Sequence, residues 1–135
     1  MMRAFARLAI VAFAVFAAAP PTTAQMEGSY GLVEVDGQPL PATSPDEEGV
    51  VMHRAILQLA AEGRFLLQAW ATVGGDPEQE QEEFLGTWSV STDLLTLTPD
   101  GAGEEALMRF RFTLAGDALR LHNGDGHEFT FRRQQ

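Results

Sequence analysis

Residues 50–73 read VVMHRAILQLAAEGRFLLQAWATV. Two apolar, alternating segments, Val50 to Ala60 and Arg64 to Val73, flank Ala61-Glu62-Gly63, where Gly63 can take the positive φ of a tight turn. Ala55, Leu57 and Leu59 fall on one face of the first segment, and Phe65, Leu67, Ala69 and Ala71 on one face of the second. Ala, Leu and Gln also favour helix, but a long helix here would carry Gly63 at its middle, and period two fits both halves at least as well as period 3.6. The stretch is therefore read as a β-hairpin. Trp70 is out of phase with the apolar face, so either it lies on the outer surface or a bulge resets the register.

The same rhythm continues to both sides. Gly28 to Val35 reads as a strand with Tyr30, Leu32 and Glu34 on one face and Gly31, Val33 and Val35 on the other. Further strands are expected over Glu82 to Ser91, Leu94 to Thr98, Ala106 to Leu114, Ala118 to His122 and His127 to Arg132. Asp36-Gly37, Thr92-Asp93, Ala115-Gly116-Asp117 and Asn123-Gly124-Asp125-Gly126 supply local turns. The segment Gln38 to Gly49, with three prolines and the run Asp46-Glu47-Glu48, reads as an irregular loop: a solvated connection or a flap over one end of the fold. About eight antiparallel strands joined in sequence have one economical solution, an all-β sheet that closes as an eight-stranded antiparallel up-and-down barrel.

A different composition precedes the strands. Arg3 and Arg7 are followed by an apolar run from Leu8 to Ala19, by Pro20-Pro21 and by the small residues Thr22-Thr23-Ala24. This is the pattern of a secretory signal cleaved after Ala24. The run is too short for a membrane-spanning helix, which needs about 20 apolar residues. The expected organisation is a signal peptide over 1–24 and one barrel domain over 25–135, periplasmic or secreted, with no stable membrane anchor. Without Arg3 and Arg7, seven arginines remain against 19 acids, a net charge of −12, and the chain has no lysine. Nucleic acid needs cationic contacts and is excluded as a partner. With no cysteine, the domain must hold by packing alone.

Eight strands enclose a space that side chains can fill or that can hold one small ligand. The candidate inner faces carry Leu57, Phe65, Leu67, Phe84, Trp88, Phe110, Phe112 and Phe129. These are the expected ligand-binding residues if the interior is open, and the filling of a dry core if it is not. An open interior would be apolar and lined by aromatic rings, suited to a small hydrophobic molecule.

Several short motifs bear on family. Gly28-Ser29-Tyr30 opens the first strand, and Leu57-Gln58-Leu59, Glu62-Gly63-Arg64-Phe65, Gly86-Thr87-Trp88 and Leu95-Thr96-Leu97-Thr98 follow in order. In this the chain resembles small bacterial lipocalin-like, calycin-type proteins. The resemblance implies an exported eight-stranded barrel. It also implies a cation–π contact in which Arg132 or Arg133 stacks on Tyr30, here standing where lipocalins carry Trp.

Little in the sequence points to chemistry. No cysteine nucleophile or Gly-x-Ser-x-Gly elbow is present. His122 and His127 flank one turn but bring no firm third ligand, so no metal and no cofactor are expected. The acids Asp76, Glu78, Glu80, Glu82 and Glu83 do not follow the spacing of a calcium loop. No enzyme activity is expected; a catalytic reading would need an inward acid–base pair drawn from groups such as Glu34, His53 and Arg109. Two functions follow: an exported barrel that binds a small hydrophobic ligand, or a filled barrel that binds a protein partner, for example as an inhibitor, through its loops and acidic surface.

Overall fold

The computed structural model describes residues 22–101, 103 and 106–134. Most of the expected export signal therefore lies outside the described residues. The hairpin that decides the fold forms β4 (Val50–Leu59) and β5 (Arg64–Val73), paired from Val50↔Val73 to Leu59↔Phe65. The other long strands are β1 (Gly28–Val35), β6 (Glu80–Ser91), β7 (Leu94–Pro99), β8 (Met108–Ala115), β9 (Ala118–His122) and β10 (Glu128–Arg133). Each pairs antiparallel with its sequence neighbour from β4 to β10, and β1 lies between β10 and β4. The eight strands thus form a closed up-and-down barrel.

Two differences from the sequence reading come from bulges. An extra residue at Val33 shifts the β1–β10 register between Leu32↔Phe131 and Glu34↔Thr130. Val35 consequently turns inward and is buried, although strict alternation from Tyr30 puts it on the other face. A second shift, at His53 in β4, keeps both Met52 and Ala55 against the core while Arg54 points out. Arg54 then stacks 4.8 Å from the Trp70 ring centroid, which settles Trp70 on the outer surface. The loop from 38 to 49 also holds more structure than expected: β2 (Gln38–Pro39) pairs with β1, and β3 (Ala42–Thr43) pairs with β4.

The two ends of the barrel differ. At one end the single-turn helix α1 (Thr23–Met26), capped by Thr22, places Met26 beneath the strands with no solvent exposure. The Tyr30 hydroxyl donates to the Met26 carbonyl at 2.7 Å. Arg133 closes the same end, 5.0 Å from the Tyr30 ring centroid, and donates to the carbonyls of Glu27 (2.6 Å) and Gln25 (2.8 Å). Phe65, Trp88, Leu59, Leu95, Phe112 and Leu119 pack above this plug. Burying each such side chain contributes about 1.5–3 kcal/mol. The Trp88 indole N–H donates to the Ala60 carbonyl at 3.0 Å, tying β6 to the β4–β5 turn. Gly86 allows this packing: a Cβ there would collide with the Thr98 carbonyl oxygen and come within 2.7 Å of the Phe65 ring.

Candidate functional site

The opposite end gathers the turn at Asp36-Gly37, the loop from 38 to 49, the 74–79 segment and the 123–126 turn. Here the inner face is not filled. A cavity of about 170 Å³ lies between the strands, lined by Leu32, Met52, Ala55, Leu57, Leu67, Ala69, Leu97, Phe110, Leu121, Phe129, Phe131 and Asp46. Two alanines, Ala55 and Ala69, face each other across β4 and β5 at one wall, and their short side chains leave the space that larger residues fill at the plugged end.

Four of the eight residues chosen from the sequence, Leu57, Leu67, Phe110 and Phe129, line this cavity. Phe65, Trp88 and Phe112 face inward but lie in the filled half, where they pack on the plug instead of the cavity. Phe84 departs from the expected lining. It shares the inner face with its cross-strand neighbour Leu67, yet it is 37 % exposed and does not line the cavity. The cause is the uneven length of the strands. β6 pairs with β7 only from Gly86 onward, so among the described residues the stretch 80–84 of β6 pairs with β5 alone. The Leu85 carbonyl accepts the Asp100 amide at 2.8 Å. Beyond it, the alternation of an antiparallel ladder turns the backbone groups of Glu83 and Gln81 toward an edge unpaired among the described residues.

Asp46 is the cavity's one ionisable liner among the described residues. Its loop is anchored on both sides: the Ser44 amide donates to the Val50 carbonyl (2.8 Å), and the Asn123 side-chain amide donates to an Asp46 carboxylate oxygen (3.5 Å). Asn123 is itself fixed by accepting the amides of Asp125 and His127 at 3.0 Å. Glu34, His53 and Arg109 do not line the cavity. The His53 ring meets the Thr72 hydroxyl at 3.1 Å, and Arg109 is exposed opposite Thr96.

At the cavity end of the barrel, the Asp36 carboxylate takes the Glu128 amide at 2.7 Å and the His127 ring nitrogen at 2.9 Å. These hydrogen bonds, the backbone one foremost, lower the Asp36 pKa from its ordinary value. His122 faces Glu128 at 3.5 Å. The two histidines thus each have a carboxylate of their own, and no group of three or more potential metal ligands occurs among the described residues.

No family model and no curated protein matches the chain. Among solved structures, it is similar to an uncharacterised protein from Bacteroides eggerthii, at 19 % identity and a TM-score of 0.50, with 80 % of this chain and 98 % of that one covered. At that identity the similarity concerns the fold alone.

Proposed function

We propose that this protein is an exported, lipocalin-like barrel that binds a small apolar molecule in its open half. The observation that carries the reading is the cavity of about 170 Å³ with its nearly continuous apolar lining. An apolar cavity of about 150 Å³ is large enough to take up benzene. Drug-sized ligands, by contrast, occupy pockets of roughly 300–1,000 Å³. The ligand is therefore one aromatic ring or a short branched alkyl group, smaller than the cargo of a roomy lipocalin. Export is supported by the pattern over residues 1–24, and the family reading by the ordered motifs together with the Arg133–Tyr30 contact.

The test is an NMR titration of the full chain with toluene, following the methyl groups of Leu57, Leu67 and Leu97. Saturable shifts confined to the cavity lining are expected. Shifts that never saturate, or that scatter over the outer surface, overturn the reading.

A second reading, a protein-binding module, rests on the overhang of β6. Leu85 (50 % exposed) and Phe84 sit beside the edge at Gln81 and Glu83, which is unpaired among the described residues. Such an edge can pair with a strand of another chain. Slowed amide exchange at Gln81 and Glu83 in the presence of a purified partner supports it, and unchanged exchange counts against it.

A further inference from the structure

Taking the cavity as the binding site proposed above, we infer that its ligand is a small apolar amine, with the ring or alkyl group inside and the ammonium at the mouth beside Asp46. Three observations lead there. First, Asp46 is the cavity's one ionisable liner among the described residues; the Ser44–Val50 hydrogen bond closes its loop, and the Asn123 side chain lies 3.5 Å from its carboxylate. Second, the inner face of the β6 overhang continues the acidic rim. Glu82 lies directly across from Ala69, a cavity-lining residue, and Glu80 lies across from Ala71. Third, arginine is kept away from this mouth. Arg54 stacks on Trp70 at the outer surface, Arg64 is paired with Asp100, Arg109, Arg111, Arg120 and Arg132 project outward, and Arg133 is spent at the plugged end. The histidines at this end are engaged as well: His127 by Asp36, His122 by Glu128 and His53 by the Thr72 hydroxyl.

A low-dielectric cavity rimmed by one sign of charge concentrates the opposite charge at its entrance. A neutral hydrocarbon gains nothing from such a rim, and an apolar acid is repelled by it. An apolar amine gains both the burial of its hydrocarbon part and the proximity of the carboxylate. Because Asp46 is exposed, the gain is that of a solvent-screened pair. A worth of up to about 1 kcal/mol for such pairs corresponds to roughly fivefold in affinity.

Benzylamine, benzyl alcohol and benzoate share one ring and differ in the charge of the head group, so they form the test. Each is titrated at neutral pH and low salt into the barrel, into Asp46→Asn and into Glu47→Gln, with folding of all three checked by circular dichroism. Glu47→Gln removes the same charge from the next residue, which does not line the cavity. The expected result is benzylamine binding about fivefold tighter than benzyl alcohol and benzoate weakest, with the amine preference lost in Asp46→Asn and retained in Glu47→Gln. Equal binding of benzylamine and benzyl alcohol overturns the amine inference and leaves the cavity reading standing. A preference that survives in Asp46→Asn overturns the role of Asp46. Failure of all three probes and of toluene to saturate overturns the cavity reading itself.

Discussion

The Arg133 guanidinium lies 5.0 Å from the centre of the Tyr30 ring and donates to two carbonyls of the segment that leads into β1. One side chain thus joins the last strand, the first strand and the α1 plug. The crowding here is tight enough to specify its neighbour. A Cβ on Gly28 would lie 2.7 Å from the guanidinium, and the φ of +147° at this position disfavours any other residue. Arg133→Met keeps the aliphatic stem but loses the stacking and both charge-assisted hydrogen bonds. It is expected to cost about 2 kcal/mol. Arg133→Lys recovers only part, since an ammonium lacks the planar fork. Urea denaturation of the three proteins measures both effects.

Tyr30 is the chain's one tyrosine, so the ultraviolet absorbance of tyrosinate reports on it alone. Burial pushes its pKa above the ordinary value of 10.0, and the nearby Arg133 opposes this only partly. A phenol whose pKa is raised in the folded state stabilises the fold fully below its unfolded value. That contribution is lost as the pH climbs through the folded value. Stability should therefore fall above about pH 10, with tyrosinate appearing later than in a model peptide. Tyr30→Phe should remove this alkaline loss and cost about 1 kcal/mol at neutral pH through the missing bond to Met26.

Gly86→Ala is expected to destabilise the barrel by about 3 kcal/mol, at the upper end for an overpacked core. The added methyl would meet the Thr98 carbonyl, the Phe65 ring and the Pro99 backbone together. The adjacent substitution Thr87→Ala, at an exposed position, serves as the control. Thermal melts of both variants separate crowding from a general loss of strand propensity.

Ala69→Leu places an isobutyl group in the cavity. It should leave stability within about 1 kcal/mol of the parent, because the space is already present, and weaken toluene binding at least about tenfold, or roughly 1.4 kcal/mol. Titration of parent and variant, with melting curves alongside, measures both.

Much of the barrel can be read from alternation and turn residues, because a strand with one buried face must repeat every second residue. The β4–β5 hairpin and the Asn123–Gly126 turn are of this kind. The bulges at Val33 and His53 cannot be read that way. A bulge inserts one residue without changing composition, and its position is set by the opposite strand, β10 in one case and β5 in the other. The same limit applies to the cavity. Inward-facing aromatic residues are recognisable, but whether Phe65 or Phe129 meets open space depends on the stagger of strands distant in sequence. Phe84 has the parity of an inner residue, but no strand among the described residues pairs with β6 on its far side at this point. Asp46 carries no periodic signal at all; it reaches the mouth because β3 pairs with β4 and Asn123 holds the loop from the far side.

The placement of β1 between β4 and β10 also bears on how the molecule is made. Every seam but two joins strands that are close in sequence and can form as local hairpins. The β1–β10 seam brings together residues as far apart as Tyr30 and Arg133. It cannot form before Arg133 leaves the ribosome, and contacts this remote in sequence are slow to form. Through most of synthesis the chain is at best a growing open sheet with Met26 and Tyr30 unsheltered. Until β10 is made and finds β1, the barrel has no closing seam.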